Sequence, residues 1–525
     1  MEKVLILDNI NKACGKMLRE AGFEVKEVGS ALESEELNEA APEFSAILLR
    51  GLSKLSAGVI EKGARGNLRL IVRAGAGVDN IDVNAATHFG VIVENTPGTN
   101  TQAVVELTIG ALIALARNLI PAQASLKDGR WEKGRYAGAE LKGKTLGVIG
   151  LGKIGQGVAE VAKTFAMRIL GYDPVMTDEK AKESGIEPVS LEQIYRQSDF
   201  LTLHAALNER SRGMLDSVAF GQMKEGVSIV NCARAELVDK KALLEALDRG
   251  RVRFYFTDVF EQEPPPADDP LLAHANVFAT PHLAGSTEEA STLGARQAAE
   301  QTKAFFRESR VINAVNFAAG DERLQPWERL AEMLGRFVIQ YTGKGLREIS
   351  VGYYGQIANL DTHRTTSSFF YGLLKSFSPF ASVVNALNLA QEEGIEVVES
   401  KSTGAQDSLK ISVCTDKEKY SLSAAISKHT PVLISIDDYI FDLPLIEKNY
   451  ILSRHSDIPG IVGIIGTILG AHRINIGKMI LQDLPGRSAM AIITVAQEPT
   501  EEILQEMVAG VEEKGGQMTL RKIRL

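Results

Sequence analysis

Short runs of β-branched and leucine residues, "VLILD", "AILLR", "LRLIVRAG" and "VIVENT", punctuate the chain as far as Asn95, separated by stretches with apolar residues at three- and four-residue spacing. The runs read as buried strands and the stretches as helices packed on them, which predicts a small α/β unit with a parallel sheet. "TQAVVELTIGALIALARNL", Thr101 to Leu119, follows. It is predicted as one long helix, capped by Thr101 and apolar on most sides, as suits a helix buried between domains or subunits. Between about 145 and 290 the alternation resumes in "TLGVIG", "RILGYD", "FLTLHA", "GVSIVNCA", "YFTDVF" and "NVFATPH", predicting a second, doubly wound α/β unit. A helix from Ser286, with a capping box in Ser286 and Glu289, is placed to carry the chain back to the first unit.

Beyond residue 316 the character changes. An amphipathic helix, "WERLAEMLGRFVIQY", mixes with alternating strands, "LREISVGYYG" and "SLKISVCTD". From residue 449 the order strand, helix, strand, strand, helix, strand appears in "YILSRH", "GIVGIIGTILGA", "INIGKMIL", "SAMAIITV", "TEEILQEMV" and "MTLRKIRL". That order predicts a small independent domain of ferredoxin-like type.

Composition narrows the classes. At 525 residues the chain is too long for one core, and about 150 residues per domain implies three or four. With 45% hydrophobic residues, 24% charged and a net charge of -9, neither disorder nor partnership with nucleic acid or an acidic membrane is expected. Cys14, Cys232 and Cys414 are far apart, odd in number and match no metal-ligand spacing, so neither a disulfide framework nor a metal centre is expected. A charged start without a long apolar core, and apolar runs ("LTIGALIALA", "GIVGIIGTILGA") shorter than the ~20 residues of a span, lead us to expect a cytoplasmic protein.

The chemistry begins at "KTLGVIGLGKIG". Gly150, Gly152 and Gly155 are spaced G-x-G-x-x-G between a strand and a helix, the dinucleotide fingerprint, with Lys153 and Ile154 in the turn. Such a turn opens its own fold, so the residues before it belong to another unit. Asp173 ends the next strand, where a carboxylate accepts from ribose hydroxyls; with no Arg or Lys in the following "PVMT", NAD is expected rather than NADP. Three further polar residues follow strand ends: Arg234 in "NCARAELVD", Glu263 in "DVFEQEPPP" and His282 in "ATPHLAGST". In an open α/β sheet they share one crevice. Oxidation of a 2-hydroxy acid needs a proton acceptor, a carboxylate that stabilises its protonated form, and a cation to hold the substrate carboxylate. Each residue has a plainer alternative as a surface ion pair, an acidic loop charge or a turn histidine, and His204, in "TLHAAL", is a rival base.

These motifs resemble the D-isomer-specific 2-hydroxyacid dehydrogenases over nearly the whole chain. "RAGAGVDNIDVNAAT", "NTPGTNTQAVVELTIGALIALARN", "LKGKTLGVIGLGKIG", "NCAR", "DVFEQEPP" and "TPH" occur in the family's order. The resemblance implies an NAD-binding Rossmann-type domain (99–291) inserted in a flavodoxin-like substrate domain (1–98 and 292–316). An α+β intervening regulatory domain (317–448) and a ferredoxin-like ACT domain (449–525) would follow. It implies Arg234 as substrate-orienting arginine, Glu263 as the histidine's partner and His282 as acid/base. Cys232, Ala233 and Asp258 would lie beside the cofactor. Amides of "RAGAG", including Ala74 and Gly75, would cradle the substrate carboxylate, with Asn100 nearby and Arg50 and Arg73 as phosphate candidates or ordinary surface cations. "HSDIPGIVGIIGTILGAHRINIGKM" resembles the start of an ACT module, with His455, Asp457 and Asn475 at effector positions for L-serine.

The combination implies a long form that oxidises D-3-phosphoglycerate to 3-phosphohydroxypyruvate, first step of L-serine synthesis, in a homodimer or homotetramer joined through helix 101–119. A reductase of hydroxypyruvate or 2-ketoglutarate, or an NAD-sensing regulator, are the alternatives. Ala235, Glu236 and the run Phe254, Tyr255, Phe256, Thr257 depart from the family's small residues and are expected to crowd the nicotinamide.

Overall fold

The computed structural model describes residues 1–308, 310–317, 321–378, 380–484 and 488–525, apart from the side chain of Glu322. The first apolar runs form a parallel five-stranded sheet in the order Glu24–Glu27, Lys3–Ile6, Ala46–Leu49, Leu70–Arg73, Ile92–Asn95, the flavodoxin-like order. Glu24–Glu27 escaped the hydrophobic pattern because Glu24, Lys26 and Glu27 are exposed on a sheet edge, where charge protects against stray pairing. Helix Glu288–Glu308 lays Ala295, Ala298 and Ala299 against Val4, Ile6, Leu48, Leu70 and Val72 of this sheet, so the chain does return to it. Its cap differs from expectation. The Ala290 amide donates to Thr287 Oγ1 at 3.1 Å, while the Ser286 hydroxyl turns back to the His282 carbonyl, so the Ser286–Glu289 box does not form.

Seven parallel strands make the second sheet, in the order Val277–Ala279, Val252–Thr257, Val227–Asn231, Phe200–Leu203, Thr145–Ile149, Arg168–Tyr172, Glu187–Pro188. The fingerprint strand Thr145–Ile149 lies at the point where the winding reverses, the usual ligand crevice of such sheets. The predicted helix 101–119 is two helices. Thr101–Ala116 begins after Asn100, which caps without a side-chain bond, so Thr101 is its first residue rather than its cap. Asn118 then turns left-handed (φ 54), a conformation asparagine tolerates, and Leu119–Lys127 departs at 65°. Among the described residues no single helix is long and apolar enough to cross a membrane; that bent pair meets length and composition only.

The third sheet, six-stranded and largely antiparallel, spans Leu346 to Pro444, and the fourth has the order Ile476–Gln482, Ser488–Val495, Asn449–Ser456, Met518–Arg524. The last region is not independent. Helices Ile461–Ala471 and Glu501–Glu512 cover one face of its sheet. The other face, with Tyr450, Leu452, Met490 and Ile492, joins Trp327, Leu334 and Phe337 in one core. Both faces of that sheet are apolar, and two helices cover only one, so helix Gln325–Thr342 completes the burial.

Candidate active site

At the fingerprint, steric demands differ between the glycines. Gly150 has φ 94, and a Cβ there would stand 2.5 Å from the His204 carbonyl carbon; at Gly155 it would stand 2.0 Å from the Gly150 oxygen. Packing of the protein on itself therefore requires these two. At Gly152 a Cβ would meet nothing within 4 Å. Its site is open space at the N-terminus of helix Lys153–Thr164, whose orphan amides suit an anion, so the turn fits a dinucleotide pyrophosphate. Lys153 and Ile154 begin that helix, and Lys153 Nζ would lie 3.2 Å from a Cβ on Gly98, beside the opposite loop. Asp173 braces the turn: Oδ2 accepts the Leu151 amide at 2.8 Å and Oδ1 those of Val175 and Met176. Cys232 is half-buried and burial pushes its thiol pKa up to about 12, so it stays neutral. Desolvation lowers the His204 pKa to about 4, and its Nε2 pairs with Thr202 Oγ1 at 2.9 Å.

His282, not His204, has the carboxylate partner. His282 Nδ1 lies 2.7 Å from Glu263 Oε2, and Glu263 Oε1 accepts the Phe260 amide at 3.1 Å. His282 is left-handed (φ 53), a conformation that costs a residue with a Cβ and is held by its surroundings. Asp258 does the holding. Fully buried, it accepts the Leu283 amide and the Thr280 hydroxyl on Oδ1 and the Ala284 amide on Oδ2, at 2.5 to 2.7 Å. Arg234 follows the strand Val227–Asn231, where Asn231 binds both the Arg234 carbonyl and the Ala233 amide, and its Nη2 reaches Asp79 Oδ2 at 3.0 Å. Sequence patterning offered no signal for Asp79, because its partner Arg234 comes from elsewhere in the fold.

A cavity of about 710 Å³ lies where loops of the two parallel sheets meet. It is lined by Arg50, Arg73, Ala74, Gly75 and Asn100 from one side and by Glu263 and His282 from the other. Lys54, which no sequence motif marks, also lines it, as does Asp8. The Ala74 and Gly75 amides do not act as free donors there, since they bond to the Leu49 and Arg73 carbonyls. Arg50, Lys54 and Arg73 form a cationic cluster on the first sheet's side of the cleft, and burial and the neighbouring charges of Arg234 and Arg50 lower the pKa of Arg73 from its ordinary value. Outside the lining of this cleft, His455 is buried with its pKa lowered by burial and Nδ1 3.2 Å from Ser453 Oγ, while Asp457 and Asn475 are exposed.

Residues 109–284 match the model of the D-isomer specific 2-hydroxyacid dehydrogenase NAD binding domain, and residues 323–437 that of the D-3-phosphoglycerate dehydrogenase intervening domain. A D-3-phosphoglycerate dehydrogenase of Methanocaldococcus jannaschii is 39% identical over 520 residues, covering 97% of each chain. The chain belongs to the D-3-phosphoglycerate dehydrogenase family. Another member of that family, from Archaeoglobus fulgidus, is 36% identical over 520 residues, covering 96% of this chain and 97% of that one. The solved NAD-dependent formate dehydrogenase from Staphylococcus aureus in complex with NAD matches with a TM-score of 0.55 and 29% identity, over 61% of this chain and 100% of that one. This D-3-phosphoglycerate dehydrogenase family member is thus an NAD-dependent D-2-hydroxyacid dehydrogenase. Its aromatic run does not crowd the cleft as expected. Tyr255 packs in the core on one face of the second sheet, and Phe254 and Phe256 in the core on the other, because alternate residues of a strand face opposite ways.

Proposed function

We propose that the chain oxidises D-3-phosphoglycerate to 3-phosphohydroxypyruvate with NAD, the opening reaction of L-serine synthesis. The observation that carries this reading is one cavity lined by the His282–Glu263 pair and by Arg50, Arg73 and Lys54. A base and a cationic cluster on opposite walls suit a hydroxy acid that bears a second anionic group.

Glu263 holds the imidazole at Nδ1, which leaves Nε2 to take the C2 hydroxyl proton. Arg234 offers further guanidinium donors to the substrate carboxylate and the C2 oxygen, and Arg50, Arg73 and Lys54 balance the phosphate. Asn100 lies on the same wall. Gly150 to Gly155, Asp173, Cys232 and Ala233 would hold NAD, which would supply the hydride acceptor for C2. Asp258 shapes this site by fixing the turn that presents His282. We divide the chain into a substrate-binding part (1–98 and 292–316), an NAD-binding part (99–291), an intervening part (317–448) and an ACT part (449–525).

The reading includes a cytoplasmic homo-oligomer and an L-serine site at His455, Asp457 and Asn475. Its subunit contact moves from the largely buried helix Thr101–Ala116 to Leu119, Leu126 and Trp131, whose apolar side chains are exposed. The deciding experiment is NADH formation with D-3-phosphoglycerate and with D-glycerate, each with and without L-serine. Turnover with D-3-phosphoglycerate at least about a hundredfold more efficient supports the phosphate cluster; equal efficiency for the two substrates contradicts it.

A further inference from the structure

Arg234 belongs to the nucleotide-binding half, yet its guanidinium also reaches the other half. Nη1 donates to the Ala233 carbonyl at 2.7 Å, and Nη2 lies 3.0 Å from Asp79 Oδ2, in the loop after Leu70–Arg73. The loop is notched to admit it. A Cβ on Gly77 would stand 2.2 Å from Arg234 Nη2 and 2.8 Å from Asp79 Oδ2, so any other residue there would displace the pair.

Charge points to the same carboxylate. Arg73 feels the positive charges of Arg234 and Arg50, opposed by the negative charges of Asp79 and Asp8. Asp8 is already engaged, since its carboxylate takes the amides of Arg50, Leu52 and Ser53 and the Ser53 hydroxyl. Asp79 is the carboxylate in direct contact with Arg234.

We propose that Asp79 is a positioning residue for the reaction: reaching from the opposite side of the cleft, its carboxylate fixes the Arg234 fork so that the remaining guanidinium donors face the substrate. A guanidinium has five N–H donors in one plane, and holding two of them, through Ala233 and Asp79, sets the direction of the rest. The proposal rests on the reading of Arg234 as the substrate-orienting group. Freed from Asp79, the long side chain regains its rotamers, and a displacement of about 1 Å at a reacting group can cost about a hundredfold in rate.

The test compares Asp79→Ala and Asp79→Asn, each alone and combined with Arg234→Lys, by kcat and KM for D-3-phosphoglycerate, with NAD affinity and Tm alongside. Asp79→Ala is expected to lower kcat/KM about tenfold or more, with NAD affinity and Tm unchanged. Asp79→Asn, which keeps a hydrogen-bond acceptor, should recover part of that loss. In the Arg234→Lys background the same Asp79→Ala change should cost about twofold or less, because the fork it positions is gone. An equal loss in both backgrounds, or no loss in the parent enzyme, overturns the proposal. Arg234→Lys without any loss overturns the underlying reading of Arg234, and the proposal with it.

Discussion

Two loops face each other across the cleft, and each is tied down by a buried aspartate. Asp258 holds the turn that bears His282, through the amides of Leu283 and Ala284 and the Thr280 hydroxyl. Asp8 holds the loop that bears Arg50, through the amides of Arg50, Leu52 and Ser53 and the Ser53 hydroxyl. The left-handed backbone sits differently in the two. On one side the functional residue itself is left-handed, His282 at φ 53; on the other the tying residue is, Asp8 at φ 61. A proton acceptor must meet one atom at hydrogen-bond distance, so its own backbone is fixed. A cation that balances a phosphate needs only proximity, and the restraint falls one step further back.

Removing each tie should separate the two roles. Asp258→Ala leaves the Leu283 and Ala284 amides without their acceptor and releases the His282 turn. Turnover is expected to fall about a hundredfold and stability by about 3 kcal/mol, read by steady-state kinetics and denaturant unfolding. Asp8→Ala should instead raise KM for D-3-phosphoglycerate about tenfold with kcat changed about threefold or less. Equal damage to kcat from both variants would erase the distinction.

A third buried carboxylate supplies the contrast. Glu94 accepts the Ile312 amide at 2.7 Å on Oε1, but Oε2 has no partner among the described residues, and burial raises its pKa from 4.5 to about 8. The folded state therefore keeps a proton that the unfolded chain releases. Its contribution is full below pH 4.5 and is lost as pH rises toward about 8, by ~1.4 kcal/mol per pH unit. Glu94→Gln should flatten that slope in unfolding measurements across this range with activity little changed; an unaltered slope would show that Glu94 carries its charge in the folded protein.

Much of the site could be read from residues whose constraint is local. Gly150 and Gly155 are dictated by backbone contacts within and beside their own turn, so their spacing announces it. Glu263 and His282 follow strand ends, where the parallel sheet gathers functional side chains. Asp79, Asp8 and Lys54 were invisible because their meaning depends on loops brought together only by the fold. Tyr255 was misread because its side of the strand is set by sheet register, which the run of rings does not disclose. Glu24–Glu27 and the strands between Lys419 and Pro444 carry charged, serine or threonine residues amid their apolar ones, which blurred their periodicity. The last sheet hid its second interface for a related reason: a strand apolar on both faces shows two buried sides without naming the partner.

The proposed function depends on His282 as the proton acceptor of an NAD-dependent oxidation. The direct measurement is NADH formation from saturating D-3-phosphoglycerate by the parent enzyme and by His282→Ala, with NAD affinity measured on both. A loss of about a thousandfold in kcat with NAD affinity retained is the predicted result; undiminished turnover by His282→Ala would contradict it.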